Sequence, residues 1–402
     1  MATRLLRHSC ANPWKKIAFT IRPNRKVGHP PFVSASSVTA AQSYENSIPV
    51  IDVGPLVSES ASNPEKLAVA KEIGEACENV GFFAIQNHGV DRKVIEKAWN
   101  ETGNFFDLPV DVKVGEDGFL LMTDSFPYGY SPFGGEVLGK GDELGRSADG
   151  SDATSTGKEN RPAGGREGDM KEMFAVGPYN PGSGIPAPRF PPNATAFESA
   201  TMTYYQSMEK LSAALMRGFA LALDLEENWF VDKNDRHAST LRSLNYPTVS
   251  GMKPPKPGQM RASAHTDYGV LTILKSGGPG LQVKLLDGKW HDAPFLEDAF
   301  IINLGDLMSR WTNDKWLSTP HRVVVLDSAP GKDTLRMAER RQSMAYFCNL
   351  NMDAHVETIS TCIGPGNPAK YKPCKAGDHL MAKHLASTQG ILDDSWMKDS
   401  KI

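Results

Sequence analysis

Cysteine is scarce in this 402-residue chain. Cys10, Cys77, Cys348, Cys362 and Cys374 are odd in number and contain no C-x-x-C pair. That excludes a disulfide framework and a zinc knuckle, and it fits a reducing compartment. No apolar run reaches the length of a membrane-spanning helix, so the chain reads as a soluble intracellular protein with no membrane partner. An excess of one charge is also missing. A formal net charge of -3 gives no reason to expect nucleic acid as a partner.

Acidic residues are absent from positions 1 to 44, which carry Arg4, Arg7, Lys15, Lys16, Arg22, Arg25 and Lys26 among frequent hydroxyl residues. Such a prefix is either an organellar transit peptide or a disordered basic extension. The composition does not choose between mitochondrion, plastid and cytoplasm. Large apolar residues nearly vanish again between Gly134 and Gly168, where Gly, Ser, Asp, Lys and Glu dominate. A segment of that kind buries too little surface to offset its ordering entropy, so a flexible insertion is expected, either a lid or an inert loop.

What remains has the length for one large core, and 36 Gly with 28 Pro supply many turns. Asn63-Pro64-Glu65-Lys66 reads as a helix start, with Leu67, Val69, Ala70, Ile73, Ala76 and Cys77 at helical spacing until Gly81. Phe82-Phe83-Ala84-Ile85 then reads as a strand, followed by His88 in a structural turn. Residues 193 to 231 predict a long amphipathic helix and a second, shorter one, with Phe197, Met202, Tyr205, Met208, Leu211, Leu215 and Phe219 as a packing stripe. After Leu241 short strands follow closely: Leu244 to Tyr246, Ala262 to His265, Leu271 to Leu274, Leu281 to Lys284, Phe300 to Leu304, His321 to Val325 and Ser343 to Phe347. Many short strands with Gly, Asp and Pro punctuation suggest a sandwich or jelly roll.

The chemistry gathers at Ala264-His265-Thr266-Asp267-Tyr268-Gly269. An isolated H-x-D is more often a surface turn than a ligand pair. Here His321 opens a β-branched run downstream, and two imidazoles with one carboxylate form the three-point face of a non-haem iron site with open positions. If His265 and Asp267 end a strand, alternation sends both side chains to one face. Arg341-Gln342-Ser343 begins another apolar strand, again with Arg341 and Ser343 on one face, and a guanidinium beside a hydroxyl suits a carboxylate.

A metal face followed by a carboxylate clamp resembles the iron(II) and 2-oxoglutarate-dependent oxygenases. The isopenicillin N synthase-like branch is the one resembled, through Leu241-Arg242-Ser243-Leu244-Asn245-Tyr246-Pro247, Trp311-Thr312-Asn313-Asp314, Ser318-Thr319-Pro320-His321-Arg322-Val323, Ile48-Pro49-Val50-Ile51-Asp52 and Gly81-Phe82-Phe83-Ala84-Ile85-Gln86-Asn87-His88-Gly89-Val90. The resemblance spans roughly residues 48 to 386. It implies a mainly β fold with flanking helices, a double-stranded β-helix (jelly-roll, cupin-like) core with a helical and strand region before it. It divides the chain into the extension 1–44, an N-terminal region 48–180 holding the insertion 134–168, supporting helices 181–238, the oxygenase core 239–350 and a C-terminal segment 351–402 with a helix near Ala376.

The resemblance implies Fe(II) on His265, Asp267 and His321, and 2-oxoglutarate with its far carboxylate on Arg341 and Ser343 and a further hydrogen bond from Tyr246. With O2, and ascorbate as an in vitro support, a monomer of this kind would oxidise a small organic molecule and release succinate and CO2. Hydroxylation, desaturation and ring closure all remain open. Tyr268, Tyr128, Tyr130 and Phe133 are candidate pocket residues, together with the C-terminal helix; Trp290, Trp311, Trp316 and Asn303-Leu304-Gly305-Asp306 read as structural. The interval Leu326 to Arg340 is longer than in close relatives, which leaves open whether Arg341 or a neighbour makes the clamp. Two other readings share these residues: an isopenicillin N synthase-type oxidase needing no 2-oxoglutarate, and a non-catalytic small-ligand sensor.

Overall fold

The computed structural model describes residues 47–123, 127–135, 169–178, 186–248, 260–324 and 340–389. The basic extension, the body of the 134–168 insertion and the lengthened interval before Arg340 lie outside the described residues. In chain order the elements are β1 (Val50–Asp52), α1 (Gly54–Val57), α2 (Asn63–Asn79), β2 (Phe82–Gln86), α3 (Arg92–Phe106), α4 (Val110–Val114), β3 (Gly129–Ser131), β4 (Glu172–Val176) and α5 (Thr195–Ala222). There follow β5 (Thr240–Tyr246), β6 (Ala262–His265), β7 (Leu271–Ser276), β8 (Leu281–Lys284), β9 (Trp290–Asp292), β10 (Phe300–Leu304), α6 (Asp306–Trp311), β11 (His321–Val323), β12 (Arg341–Cys348), β13 (His355–Val356), β14 (Cys374–Lys375) and α7 (Ala376–Gln389).

An eight-stranded sheet in the order β1-β2-β10-β7-β12-β5-β4-β3 packs against a four-stranded sheet, β6-β11-β8-β9. Both faces of the large sheet are covered, and the alternation of its residues shows how. In β2, Phe83 and Ile85 enter the core under the helices, while Phe82 and Ala84 face the smaller sheet; in β10, Phe300 and Ile302 oppose Ile301 in the same way. The unbroken apolar runs Phe82-Phe83-Ala84-Ile85 and Phe300-Ile301-Ile302 are therefore two stripes at period two. Between the sheets lie Phe82, Ala84, Tyr246, Ala262, Leu281, Val283, Ile301 and Val323, the interior of a jelly roll.

The helical layer is built from local signals. Ser62 and Glu65 form a capping box at the start of α2, with Pro64 in its first turn. The helix ends before Gly81, whose φ is 69° and where a Cβ would stand 2.4 Å from both the Leu317 carbonyl oxygen and the Thr319 hydroxyl. α5 is one helix of 28 residues with Phe197, Tyr205, Met208, Leu211, Leu215 and Phe219 buried. The second, shorter helix expected after it is replaced by turns and a single 3-10 turn at Val231–Lys233. Asp224 takes a left-handed conformation at φ 56°, which ends α5. The chain must then turn both Trp229 and Phe230 toward Trp311, at ring separations of 5.4 and 5.1 Å. Trp316 packs edge-on to Phe219 at 5.3 Å. Trp311 and Trp316 are thus core residues, each worth about 3–5 kcal/mol against truncation to alanine. Among the described residues no helix is long and apolar enough to cross a membrane.

Candidate active site

β6 and β11 are antiparallel neighbours in the small sheet, and His265 and His321 face each other as a cross-strand pair. Two residues farther along β11, Val323 pairs with Ala262 rather than Ser263, so β6 carries one extra residue. This bulge lets Ala262 and His265, three apart, both face the interior. The imidazole rings stand 4.3 Å apart. Asp267 lies beyond the end of β6, so strand alternation does not aim its side chain as its spacing from His265 suggests. Hydrogen bonds do: its Oδ2 accepts from the Thr272 hydroxyl at 2.5 Å and the Asn303 amide at 2.7 Å, and its backbone carbonyl accepts from Asp306 N at 2.7 Å.

Each of the three side chains has one atom engaged and one facing the centre. His265 Nδ1 lies 2.7 Å from the Ser263 carbonyl and His321 Nδ1 3.3 Å from the Thr319 carbonyl. A carbonyl only accepts, so both Nδ1 atoms carry the proton, which leaves Nε2 as the atom each ring turns to the centre. Each Nε2 is 3.8 Å from Asp267 Oδ1, and the ligand atoms of all three lie within 4.8 Å of one another. Burial, and next the neighbouring His321, push His265 down to about 4. Burial alone would raise Asp267, but His321, His265, Asn303 and Thr272 outweigh it and hold the carboxyl below its usual range. A neutral imidazole at His265 and an ionised carboxylate at Asp267 are the states that bind a divalent metal, and two imidazoles with one carboxylate are a donor set that fits iron(II).

The second half of the site follows from β5, β7 and β12. Arg341 pairs with Tyr246, and Ser343 lies between Leu244 and Ser276, so the three expected clamp residues share the interior face. Arg341 is buried. Its guanidinium donates to the Ser276 hydroxyl at 2.8 Å and the Gly278 carbonyl at 3.3 Å and stands 5.0 Å from the Tyr246 ring. Its Nη1 is buried without a hydrogen-bond partner among the described residues. A buried cation with only neutral described partners and an orphaned donor fits the far carboxylate of 2-oxoglutarate. The neighbouring Arg340 points to the opposite side, held by Asp107 at 2.6 Å and Asn245 at 2.6 Å.

Between these two halves the inward side of β5 opens. Its residues alternate in burial, with Leu241, Ser243 and Asn245 covered by helices and Thr240, Arg242 and Leu244 half-buried. Arg242 stands over the half-buried Phe347 at 5.4 Å. Tyr128 reaches this row: it is buried and hydrogen-bonded to the Thr240 hydroxyl, and burial pushes its phenol up to about 12. Tyr130 goes the other way. It enters the core under the helices, beside Phe105, and donates to Glu172 at 2.5 Å. Phe133 is exposed, and Tyr268 faces Leu307, Asn349 and Leu380 beneath α7.

Asn303, read from sequence as part of a structural turn, steadies the Asp267 carboxylate. Thr272, Ser263 and Arg242 are given no site role by the sequence. A signal exists for two of these four, since Asn303 and Thr272 are polar residues within the apolar runs Phe300-Ile301-Ile302-Asn303-Leu304 and Leu271-Thr272-Ile273-Leu274. His88 is the turn residue expected, its Nδ1 accepting from Val90 N at 3.1 Å and its ring 4.5 Å from Phe300.

Comparison with known proteins agrees with this geometry. Residues 239–350 match the model of the 2OG-Fe(II) oxygenase superfamily, and residues 48–195 match that of the non-haem dioxygenase in morphine synthesis N-terminal region. A 2-oxoglutarate-Fe(II) type oxidoreductase, ppzC, of Metarhizium rileyi is 31% identical over 82% of this chain and 85% of its own length. A homoarginine-6-hydroxylase of Glycine max is 29% identical over 85% of this chain and 97% of its own. The crystal structure of a full-length Neurospora crassa protein in complex with alpha-KG and 5-formyluracil superposes with a TM-score of 0.68 at 27% identity, covering 87% of this chain and all of that one. With a jelly roll, a His/Asp/His cluster and relatives that span nearly its whole described length, the chain belongs to the 2OG-Fe(II) oxygenase superfamily.

Proposed function

We propose that His265, Asp267 and His321 hold the Fe(II), that Arg341, Ser343 and Tyr246 hold the far carboxylate of 2-oxoglutarate, and that Thr240, Arg242, Leu244, Phe347 and Tyr128 receive the small organic substrate. Bound there, iron and 2-oxoglutarate supply a dioxygen-driven oxidation that releases succinate and CO2. The chain's own groups do the rest. Ser263 and Thr319 carbonyls fix the tautomers of the two histidines, and Thr272 and Asn303 keep one carboxylate oxygen turned inward. The apolar interior around Phe82, Ile301 and Val323 keeps water from the reacting centre.

The observation that carries this reading is the inward-facing donor set, three ligand atoms within 4.8 Å of one another. The residues proposed to hold iron, 2-oxoglutarate and substrate fall within 239–350, the proposed catalytic core, except Tyr128. The test is succinate release from 2-oxoglutarate by the full chain with Fe(II), ascorbate and oxygen, beside His265→Ala and Arg341→Ala. Slow turnover by the native chain, lost in both variants, is expected. Turnover retained in either variant overturns the role given to that residue.

A further inference from the structure

Gly305 and Asp306 join β10 to α6, and this corner presses on the loop that carries Asp267. A Cβ on Gly305 would stand 2.3 Å from the Gly269 carbonyl oxygen, so only glycine lets the two backbones approach. The approach lets Asp306 N donate to the Asp267 carbonyl at 2.7 Å and Leu307 N to the Gly269 carbonyl at 3.2 Å. The Asp306 side chain then serves three donors. Its Oδ1 accepts from the Ser318 hydroxyl at 2.6 Å, while its Oδ2 accepts from the Thr266 hydroxyl at 3.2 Å and pairs with Lys383 Nζ of α7 at 2.6 Å.

Thr266 stands between His265 and Asp267, and Ser318 precedes Thr319, whose carbonyl meets His321 Nδ1. One carboxylate therefore holds both stretches of backbone that bear the proposed metal ligands. α7 is tied at its start, where Ala376 N and Gly377 N donate to the Ala354 and Met352 carbonyls at 2.9 Å each, and Lys383 lies about two turns on. The side chains of Lys383 and Asp306 are 17% and 16% exposed, so the pair is shielded from most of the screening that weakens a surface ion pair.

We propose that Asp306 is a positioning residue of the metal centre and that Lys383, acting through it, couples the docking of α7 to metal binding. This rests on the metal assignment made above. A planar carboxylate cannot serve three segments independently, so α7 docked at Lys383 restrains Thr266 and Ser318 and with them Asp267 and His321. Such coupling is reciprocal: the factor by which docked α7 strengthens metal binding is the factor by which bound metal strengthens the docking of α7.

The experiment is calorimetric binding of Mn(II) to the full chain, with hydrogen exchange of the α7 amides followed with and without Mn(II). Asp306→Asn should bind Mn(II) about tenfold more weakly and Lys383→Met about threefold or more. Lys383→Arg should stay within about twofold of native, and Lys383→Met should cost nothing further in the Asp306→Asn background. Mn(II) should slow α7 exchange in the native chain and not in Lys383→Met. Tyr130→Phe, destabilised on the far side of the sheet, should keep native Mn(II) affinity, which separates positioning from mere loss of stability. Native affinity in Lys383→Met, an equal loss from it in both backgrounds, a loss as large in Tyr130→Phe, or native α7 exchange indifferent to Mn(II) overturns the proposal. Should Asp306→Asn fail to fold, Lys383→Met and the exchange measurement decide alone. If His265→Ala keeps native Mn(II) affinity, the metal assignment fails and this inference falls with it. If His265→Ala loses that affinity and Lys383→Met does not, this inference alone is excluded.

Discussion

Asn303→Leu keeps the size of a side chain that is 2% exposed and removes one of the two donors to Asp267 Oδ2. A hydrogen bond to a charged group contributes about 1.5–3 kcal/mol net, and partners of metal ligands typically govern affinity by about 10–100-fold. The two figures agree, since tenfold is about 1.4 kcal/mol. Mn(II) affinity of the variant should therefore fall about 10–100-fold by calorimetry, while 2-oxoglutarate binding at saturating metal stays near native. Thr272→Val should act in the same direction. The double variant should lose more than the two singles together, because either donor alone still orients the carboxylate. Metal affinity within about twofold of native in Asn303→Leu would refute the reasoning.

Three further outcomes are expected. His265 is held near 4 when folded and returns to its ordinary value, about 6.5, when unfolded. The unfolded chain then binds more protons in that window, so the metal-free protein should lose stability as pH falls from about 6.5 toward 4; urea melts at pH 7 and pH 5 check the sign, and His265→Asn should flatten the difference. Tyr130→Phe removes a donor to buried Glu172 on the far side of the sheet, so it should cost about 1–3 kcal/mol of stability and leave the KM for 2-oxoglutarate unchanged. Gly269→Ala puts a Cβ 2.4 Å from Asn349 Oδ1 and 2.8 Å from the Cys348 carbonyl oxygen, so the loop after Asp267 must shift; metal affinity should fall with stability, and a variant with native metal affinity would contradict the packing.

The two histidines, Arg341 and most strands are readable in the sequence because those features are local: a ligand spacing, a guanidinium two positions from a hydroxyl, apolar runs between turns. Asp267 is legible as a candidate ligand for a reason that does not hold it in place. Its aim depends on Thr272 and Asn303, which reach it across strands, and pairings of that kind leave no trace in spacing. Arg242 is illegible for a related reason, since only the register of β5 turns it inward. The second helix expected after α5 has acceptable periodicity, and Asp224 with the packing of Trp229 and Phe230 on Trp311 overrides it. Tyr130 is a pocket candidate in the sequence only as an aromatic residue of the N-terminal part, whereas its register with Phe174 places it under the helices.

The bulge in β6 constrains how this protein can change length. Deleting either Ser263 or Ala264 would give β6 and β11 a regular ladder and satisfy the backbone better. It would also rotate Ala262 or His265 out of the interior, emptying part of the core or disconnecting one imidazole from its partners. The extra residue has been put to use as well: the backbone around Ser263 turns its carbonyl to His265 Nδ1, while its N–H and hydroxyl meet Asp169 at 3.1 and 2.6 Å. A substitution in this strand can be absorbed, but a one-residue deletion cannot, and surviving variants should keep the count of residues between Ala262 and His265 even where they alter the residues themselves.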